Sequence, residues 1–190
     1  METKVLVTGA SGLIGRELCE QLADNFHVVA VDNQFRYTHT PRCAELISAD
    51  VQKYLHKCNE EFVYIFHMGA INGTKYFYDI PNTVITNNIG ADHSVVQYAK
   101  KHPNCKVIYA SSSEVIADTD VFPTPEQTDI TIKDIHNPRW SYRLAKLVGE
   151  NYIVNSNINY LIVRFFNVFG PASGSGHFVR DILEKIQKED

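Results

Sequence analysis

The chain has 190 residues, with 18 basic against 22 acidic side chains and a formal net charge of −4. Apolar residues make up 44% and charged residues 21%, which excludes a largely disordered chain and leaves one domain as the default at this length. The slight acidity gives no reason to expect nucleic acid or an anionic membrane surface as a partner.

In chain order, apolar runs of strand length alternate with segments of helical period. The first strand is Lys4–Thr8, followed by a helix over Leu13–Asn25. Strands over His27–Asp32 and Glu45–Ser48 precede a helix over Val51–Cys58. Next come a strand over Phe62–Met68, a helix over Pro81–His102 and a strand over Lys106–Ser111. A helix over Pro138–Ser156, a strand over Asn159–Phe166 and a helix from about His177 to Lys188 complete the series. Continuous apolar runs suit strands buried on both faces. Val84, Ile85, Asn88, Ala91, Val95 and Tyr98 trace a helical stripe. Pro81 and Pro138 fit the first turns of their helices.

This β-α-β succession predicts an α/β fold, a doubly wound parallel sheet with helices on both faces. Gly69–Ile80 and Ser113–Asn137 fall outside the alternation, and the second is long enough for a functional loop. Gly170–Gly176 reads as a flexible turn. The longest apolar stretches, such as Tyr160–Phe169, are short and broken by Arg164 and Asn167, so no membrane span is expected. Nor does the N-terminus read as a signal peptide. Cys19, Cys43, Cys58 and Cys105 are scattered, as reduced thiols of a cytoplasmic chain would be. The 8 histidines show no ligand spacing, and no metal is expected.

The first strand runs into Gly9-Ala10-Ser11-Gly12-Leu13-Ile14-Gly15. One glycine permits the tight turn, a second lets backbone approach a pyrophosphate, and a third lets helix pack on strand. The helix N-terminus then offers N–H groups to phosphate. Asp32 ends the second strand about 20 residues on, the spacing at which an acid bonds the adenosine ribose hydroxyls. A carboxylate there repels a 2′-phosphate and favours NAD over NADP. Used alone, such glycines can also serve packing only.

Tyr142 and Lys146 stand four apart on a predicted helix and share a face. A phenol with an ordinary pKa of about 10 is a poor base at neutral pH, and a neighbouring ammonium favours its phenolate. The same pair is common on ordinary amphipathic helices. Ser111-Ser112-Ser113-Glu114 closes the fifth strand, where a hydroxyl can bond a substrate oxygen or simply shape a turn. Gly9, Asp32, Asp50, Gly69, Ser112 and Asn167 all fall at carboxyl ends of predicted strands, where open α/β sheets bind ligands.

These motifs, with Ala49-Asp50-Val51, His67-Met68-Gly69-Ala70 and the run Arg164–Pro171, resemble the extended short-chain dehydrogenase/reductases that act on nucleotide sugars. Those are NAD-dependent epimerases, dehydratases and decarboxylases. The resemblance implies NAD as cofactor and a nucleotide-diphosphate sugar as substrate. It assigns the pyrophosphate to Gly9, Gly12 and Gly15 with backbone from Ser11, Leu13 and Ile14. It gives the ribose to Asp32, adenine to Asp50 and Val51, and further cofactor contacts to Met68, Gly69 and Ala70. Asn87 matches a structural asparagine. Tyr142 would be the base and Lys146 its partner, both also touching the cofactor. Ser112 would bond the reacting oxygen, with Ser113 as the competing choice. Glu114 would act in acid/base chemistry or remain a solvated loop acid. Asn167 would hold the substrate diphosphate.

The implied reaction oxidises sugar C4 to a 4-keto intermediate, as an isomerase or lyase does. The alternative is a non-catalytic NAD-binding module or fragment. The resemblance further implies a homodimer through helices 81–102 and 138–156. It divides the chain into an NAD-binding Rossmann domain, 1–171, and the start of a truncated substrate-binding region, 172–190, with the C-terminal substrate lobe largely absent. Two positions depart from the pattern: Ile116-Ala117 replace Tyr-Gly, and Gly69 replaces alanine.

Overall fold

The computed structural model describes residues 2–36, 40–43, 45–170 and 178–189. Its strands are β1 (Lys4–Thr8), β2 (His27–Asp32), β3 (Glu45–Ser48), β4 (Tyr64–His67), β5 (Lys106–Ser112) and β6 (Asn159–Phe165). Its helices are α1 (Leu13–Leu22), α2 (Val51–Lys57), α3 (Thr74–Asp79), α4 (Pro81–Lys101), α5 (Trp140–Val154) and α6 (Phe178–Glu189). Every strand pairing is parallel, in the order β3-β2-β1-β4-β5-β6. The order reverses between β1 and β4, and that switch point opens a crevice at the carboxyl ends of the strands.

Alternation along the strands divides the core. Leu6, Val29, Val31, Ile65 and Val107 face Leu55 of α2 and Val95, Tyr98 and Ala99 of α4. Tyr109 continues that layer against Val96 of α4 and Ile153 of α5. Val5, Val7, Val28 and Ala30 point the other way and meet Cys19 and Leu22 of α1. Each fully buried Val, Leu or Ile side chain contributes about 1.5–3 kcal/mol before entropy is charged against it.

Three expected strands, β1, β2 and β3, have the expected limits. Several of the other elements differ at their ends. Helix α1 ends at Leu22, and the N–H groups of Asn25 and Phe26 both bond the Leu22 carbonyl in the turn that leads to β2. Helix α5 starts at Trp140, not Pro138. The Asn137 side chain accepts from Arg139 N at 2.9 Å and its carbonyl from Trp140 N at 3.1 Å, which makes a capping turn first. Gly69–Ile80 contains a helix, α3, entered through Gly73 at φ 130. Ser113–Asn137 opens with a 3₁₀ turn over Ser113–Ile116 and then runs without helix or strand. The Arg143 guanidinium holds that run to the Asp118 carboxylate and the Ala117 carbonyl, at 2.9 and 2.8 Å. Pro171–Gly176, read as a flexible turn, lies outside the described residues. No described helix is long and apolar enough to cross a membrane.

All four cysteines are free thiols. Burial pushes the thiols of Cys19 and Cys105 up to about 12. A thiol reagent at pH 8 is therefore expected to label Cys43 and Cys58 first, and Cys19 and Cys105 only as fast as the core opens. Mass spectrometry of a labelling time course checks this. Because the folded thiols hold their protons more tightly than the unfolded ones, their stabilisation is complete below the unfolded value of about 8.5 and is lost as pH rises toward 12.

Candidate functional site

A cleft of about 580 Å³ lies across the carboxyl ends of the strands. Loops after all six strands line it, and it receives every residue singled out from the sequence except Ser11. Ser11 is buried beneath its own loop, and its N–H donates to the Asp32 carboxylate at 3.0 Å, so that amide is not free for a phosphate.

The glycine loop is built by close approach. Gly9 has φ +66, and a Cβ there would fall 2.6 Å from Gly69 Cα. A Cβ on Gly15 would be driven into the Gly9 carbonyl, 2.8 Å from its carbon. Gly12 differs: among the described residues beyond its chain neighbours, only the Gly9 carbonyl oxygen, at 3.2 Å, lies near its absent Cβ, and it lines the cleft. Gly69, where the resemblance has alanine, also has a reason. Its Cβ would come 3.1 Å from Gly9 N and 3.2 Å from Thr8 Oγ1. Gly12 caps α1 with no side-chain bond, so the first-turn N–H groups are left for a ligand. The Asp32 carboxylate is anchored by N–H groups of Ser11 and Gln34 at 3.0 and 2.6 Å. Asn33 Nδ2 donates to Asp50 Oδ1 at 2.7 Å, tying the second loop to the third. A diphosphate cradle followed by an anchored acid fits a dinucleotide such as NAD.

At the other end of the cleft Tyr142 is 6% exposed and stacks on Phe77, with ring centres 5.3 Å apart. Burial holds its phenol well above the usual range and Glu114 adds to this, while the Ser112 hydroxyl pulls the other way. Lys146 is buried, and its Nζ donates to the Ala110 carbonyl at 2.7 Å. Burial pulls its ammonium below the usual range, against the carboxylates of Asp92 and Glu150. Ser112 Oγ accepts from Glu114 N at 3.2 Å. Ser111 is committed elsewhere, donating to Glu150. Met68, Gly69 and Ala70 after β4, Asp50 and Val51 after β3, and Asn167 after β6 also line the cleft.

Several contributors escaped the sequence reading. Arg139 grips Glu114 through two bonds of 3.0 and 2.9 Å, and its guanidinium lies 4.8 Å over the Phe77 ring. Its position three residues before Tyr142 was the available signal. Phe77 sits on α3, a helix too short to show a period. The structural asparagine is Asn88, not Asn87. Asn88 is buried, accepts from Ile71 N at 2.8 Å and donates to the Ile71 carbonyl at 3.2 Å, whereas Asn87 lines the cleft.

Residues 5–190 match the NAD dependent epimerase/dehydratase family. The chain belongs to that family. Among relatives within and beside it, a UDP-N-acetyl-alpha-D-glucosaminuronate decarboxylase of Bacillus cytotoxicus is 28% identical, over 100% of this chain and 63% of its own length. A UDP-glucuronic acid decarboxylase 1 of Xenopus tropicalis is 30% identical, over 98% of this chain and 47% of its own. Among solved structures, a UDP-galactose 4-epimerase superposes with TM-score 0.82 at 28% identity, covering 98% of this chain and 63% of that one. A UDP-glucuronic acid 4-epimerase of Bacillus cereus, solved with NAD, gives 0.80 at 26% identity, covering 99% and 64%. The chain thus spans less than two thirds of these epimerase/dehydratase relatives.

Proposed function

We propose that this chain carries the NAD site and the reactive groups of a nucleotide-sugar epimerase or dehydratase that works through a 4-keto sugar. The observation that supports the reading is that Tyr142, Ser112 and Lys146 line the same cleft as the glycine loop and Asp32. NAD, when bound, supplies the acceptor for the hydride of sugar C4. Gly9, Gly12 and Gly15 shape the loop that, with the start of α1, would hold its diphosphate, while Asp32 would hold its ribose and Asp50 and Val51 its adenine. Tyr142 takes the proton of the 4-hydroxyl. Ser112, the serine whose hydroxyl acts on Tyr142, holds the same oxygen. Lys146 supplies the positive charge that favours the phenolate. Asn167 binds the substrate diphosphate.

Glu114 serves the step after oxidation, with Arg139 fixing both carboxylate oxygens. Glu114→Gln is expected to keep NAD reduction within about tenfold and to lower overall turnover about 10²-fold. Single-turnover NADH absorbance beside product analysis separates the two.

The division into 1–171 and 172–190 belongs to the same reading, as does a homodimer through α4 and α5. Val148 and Val154 leave apolar surface on α5, and sedimentation as a monomer at high concentration counts against the dimer. A second reading, an NAD-binding module without turnover, draws on the 63% span of the Bacillus relative. One experiment separates the two. The chain is mixed with NAD and a panel of nucleotide sugars, and NADH fluorescence is followed in a single turnover. A rise with one sugar supports the enzyme and names its substrate class. No rise with any sugar, with NAD bound, supports the module.

A further inference from the structure

Beneath the cleft lies a polar chain that the proposed chemistry does not use. His67 of β4, Asp92 of α4 and Tyr109 of β5 are all buried. Thr8 Oγ1 accepts from Gly69 N at 3.1 Å and lies 2.7 Å from His67 Nδ1. His67 Nε2 lies 3.0 Å from Asp92 Oδ1, and the Tyr109 hydroxyl donates to Asp92 Oδ2 at 3.0 Å. Both carboxylate oxygens of Asp92 are thus engaged in a buried layer formed by β4, β5 and α4.

A buried lysine of α5 lies against this layer. Lys146 Nζ sits 4.5 Å over the ring of the same Tyr109 whose hydroxyl holds Asp92. Its one hydrogen bond among the described residues goes to a carbonyl, so its charge lacks a bonded partner. Three residues on, on the same face of α5, stands Gly149. A Cβ there would collide with the Asp92 carboxylate and the Tyr109 hydroxyl, and would lie 2.9 Å from Tyr109 Cζ. The carboxylate thus packs directly on the helix, one turn from Lys146. Glu150, the other acid of this region, is already matched. It pairs with Arg164 through bonds of 2.9 and 2.7 Å and accepts from Ser111.

We propose that Asp92 is a positioning residue: its carboxylate, clamped by His67 and Tyr109, is the counter-charge that keeps Lys146 an ammonium beneath Tyr142. The groups facing Lys146 are Tyr142 and Glu150 on its own helix, Tyr109 on β5 and Asp92 on α4, with His67 of β4 behind Asp92. Among these, the attraction of Asp92 and Glu150 opposes the loss of proton that burial would cause. The consequence for catalysis rests on the role proposed above for Lys146. The charge pairing itself does not.

The test titrates Lys146 in the ligand-free chain, with ¹³C at the lysine ε-carbons. The signal missing from Lys146→Met assigns the resonance. Asp92→Asn, which keeps the shape and removes the charge, is expected to lower the Lys146 midpoint by about one pH unit or more, a tenfold loss of proton affinity. Tyr109→Phe, which leaves the carboxylate, moves it less. A folded Asp92→Asn chain with an unchanged Lys146 midpoint overturns the proposal. If Asp92→Asn alone does not fold, the Asp92→Asn/Lys146→Met chain decides. Recovery of folding supports the pair, because neither charge is then orphaned, and continued unfolding overturns it. The titration uses neither NAD nor sugar, so its failure leaves the proposed reaction standing, and failure of the reaction leaves the titration standing.

Discussion

Tyr142→Phe is expected to slow single-turnover NAD reduction by about 10²–10⁴-fold, the range a positioned acid or base contributes, while NAD affinity changes far less. Phenylalanine keeps the ring that stacks on Phe77 and removes only the hydroxyl on which Ser112 acts. Packing is therefore preserved and proton transfer is not. The pH dependence sharpens the test. Burial, then Glu114, holds the phenol above its ordinary range, so the base form grows as pH rises. Reduction by the parent chain should climb with pH across the neutral and alkaline range, and the residual rate of Tyr142→Phe should lose that dependence. Stopped-flow absorbance at several pH values measures both. Equal rates in the two chains would show that the 4-hydroxyl proton leaves by another group.

The glycine loop yields the second large effect, as a contrast between neighbours. Gly15→Ala drives a methyl group into the Gly9 carbonyl, backbone against backbone, with Ala10 Cα only 2.9 Å away. No side chain can swing aside. The expected cost is about 3 kcal/mol, or about 6–12 °C in Tm for a chain of this size. Gly12→Ala meets only the Gly9 carbonyl oxygen at 3.2 Å and points into open cleft. It should cost less than about 1 kcal/mol in stability, yet reduce NAD affinity at least about tenfold, because its Cβ occupies the space a diphosphate approaches. Thermal melts with and without NAD, beside a fluorescence titration, distinguish the two. Equal behaviour of the two variants would sink the division into a packing glycine and a ligand glycine.

Much of this architecture is legible along the chain. Parallel strands buried on both faces read as unbroken apolar runs, and β1 and β2 have their expected limits for that reason. The glycine loop and Asp32 are equally plain, because a tight turn, a close approach and an anchored acid each demand one residue type at one spacing. Helical period puts Tyr142 and Lys146 on one face, and the resemblance to a family adds their roles.

The partners of the polar residues are different. Three serines in a row look alike in the sequence, but the alternation of β5 sends Ser111 to Glu150 while Ser112 accepts from Glu114 N in the turn that follows. Asn87 and Asn88 are adjacent, and only the rotation of α4 buries Asn88 against Ile71. Asp92 lies four residues beyond Asn88 on the buried side of α4, although the stripe read from the sequence did not include it. Its meaning was not legible, because His67 and Tyr109 come from two other strands. Glu114 likewise looks like a loop acid until Arg139 arrives from the turn before α5. Period and spacing specify which face a residue occupies, since each element's geometry is local. Which charge meets which is decided only when sheet order brings distant segments together.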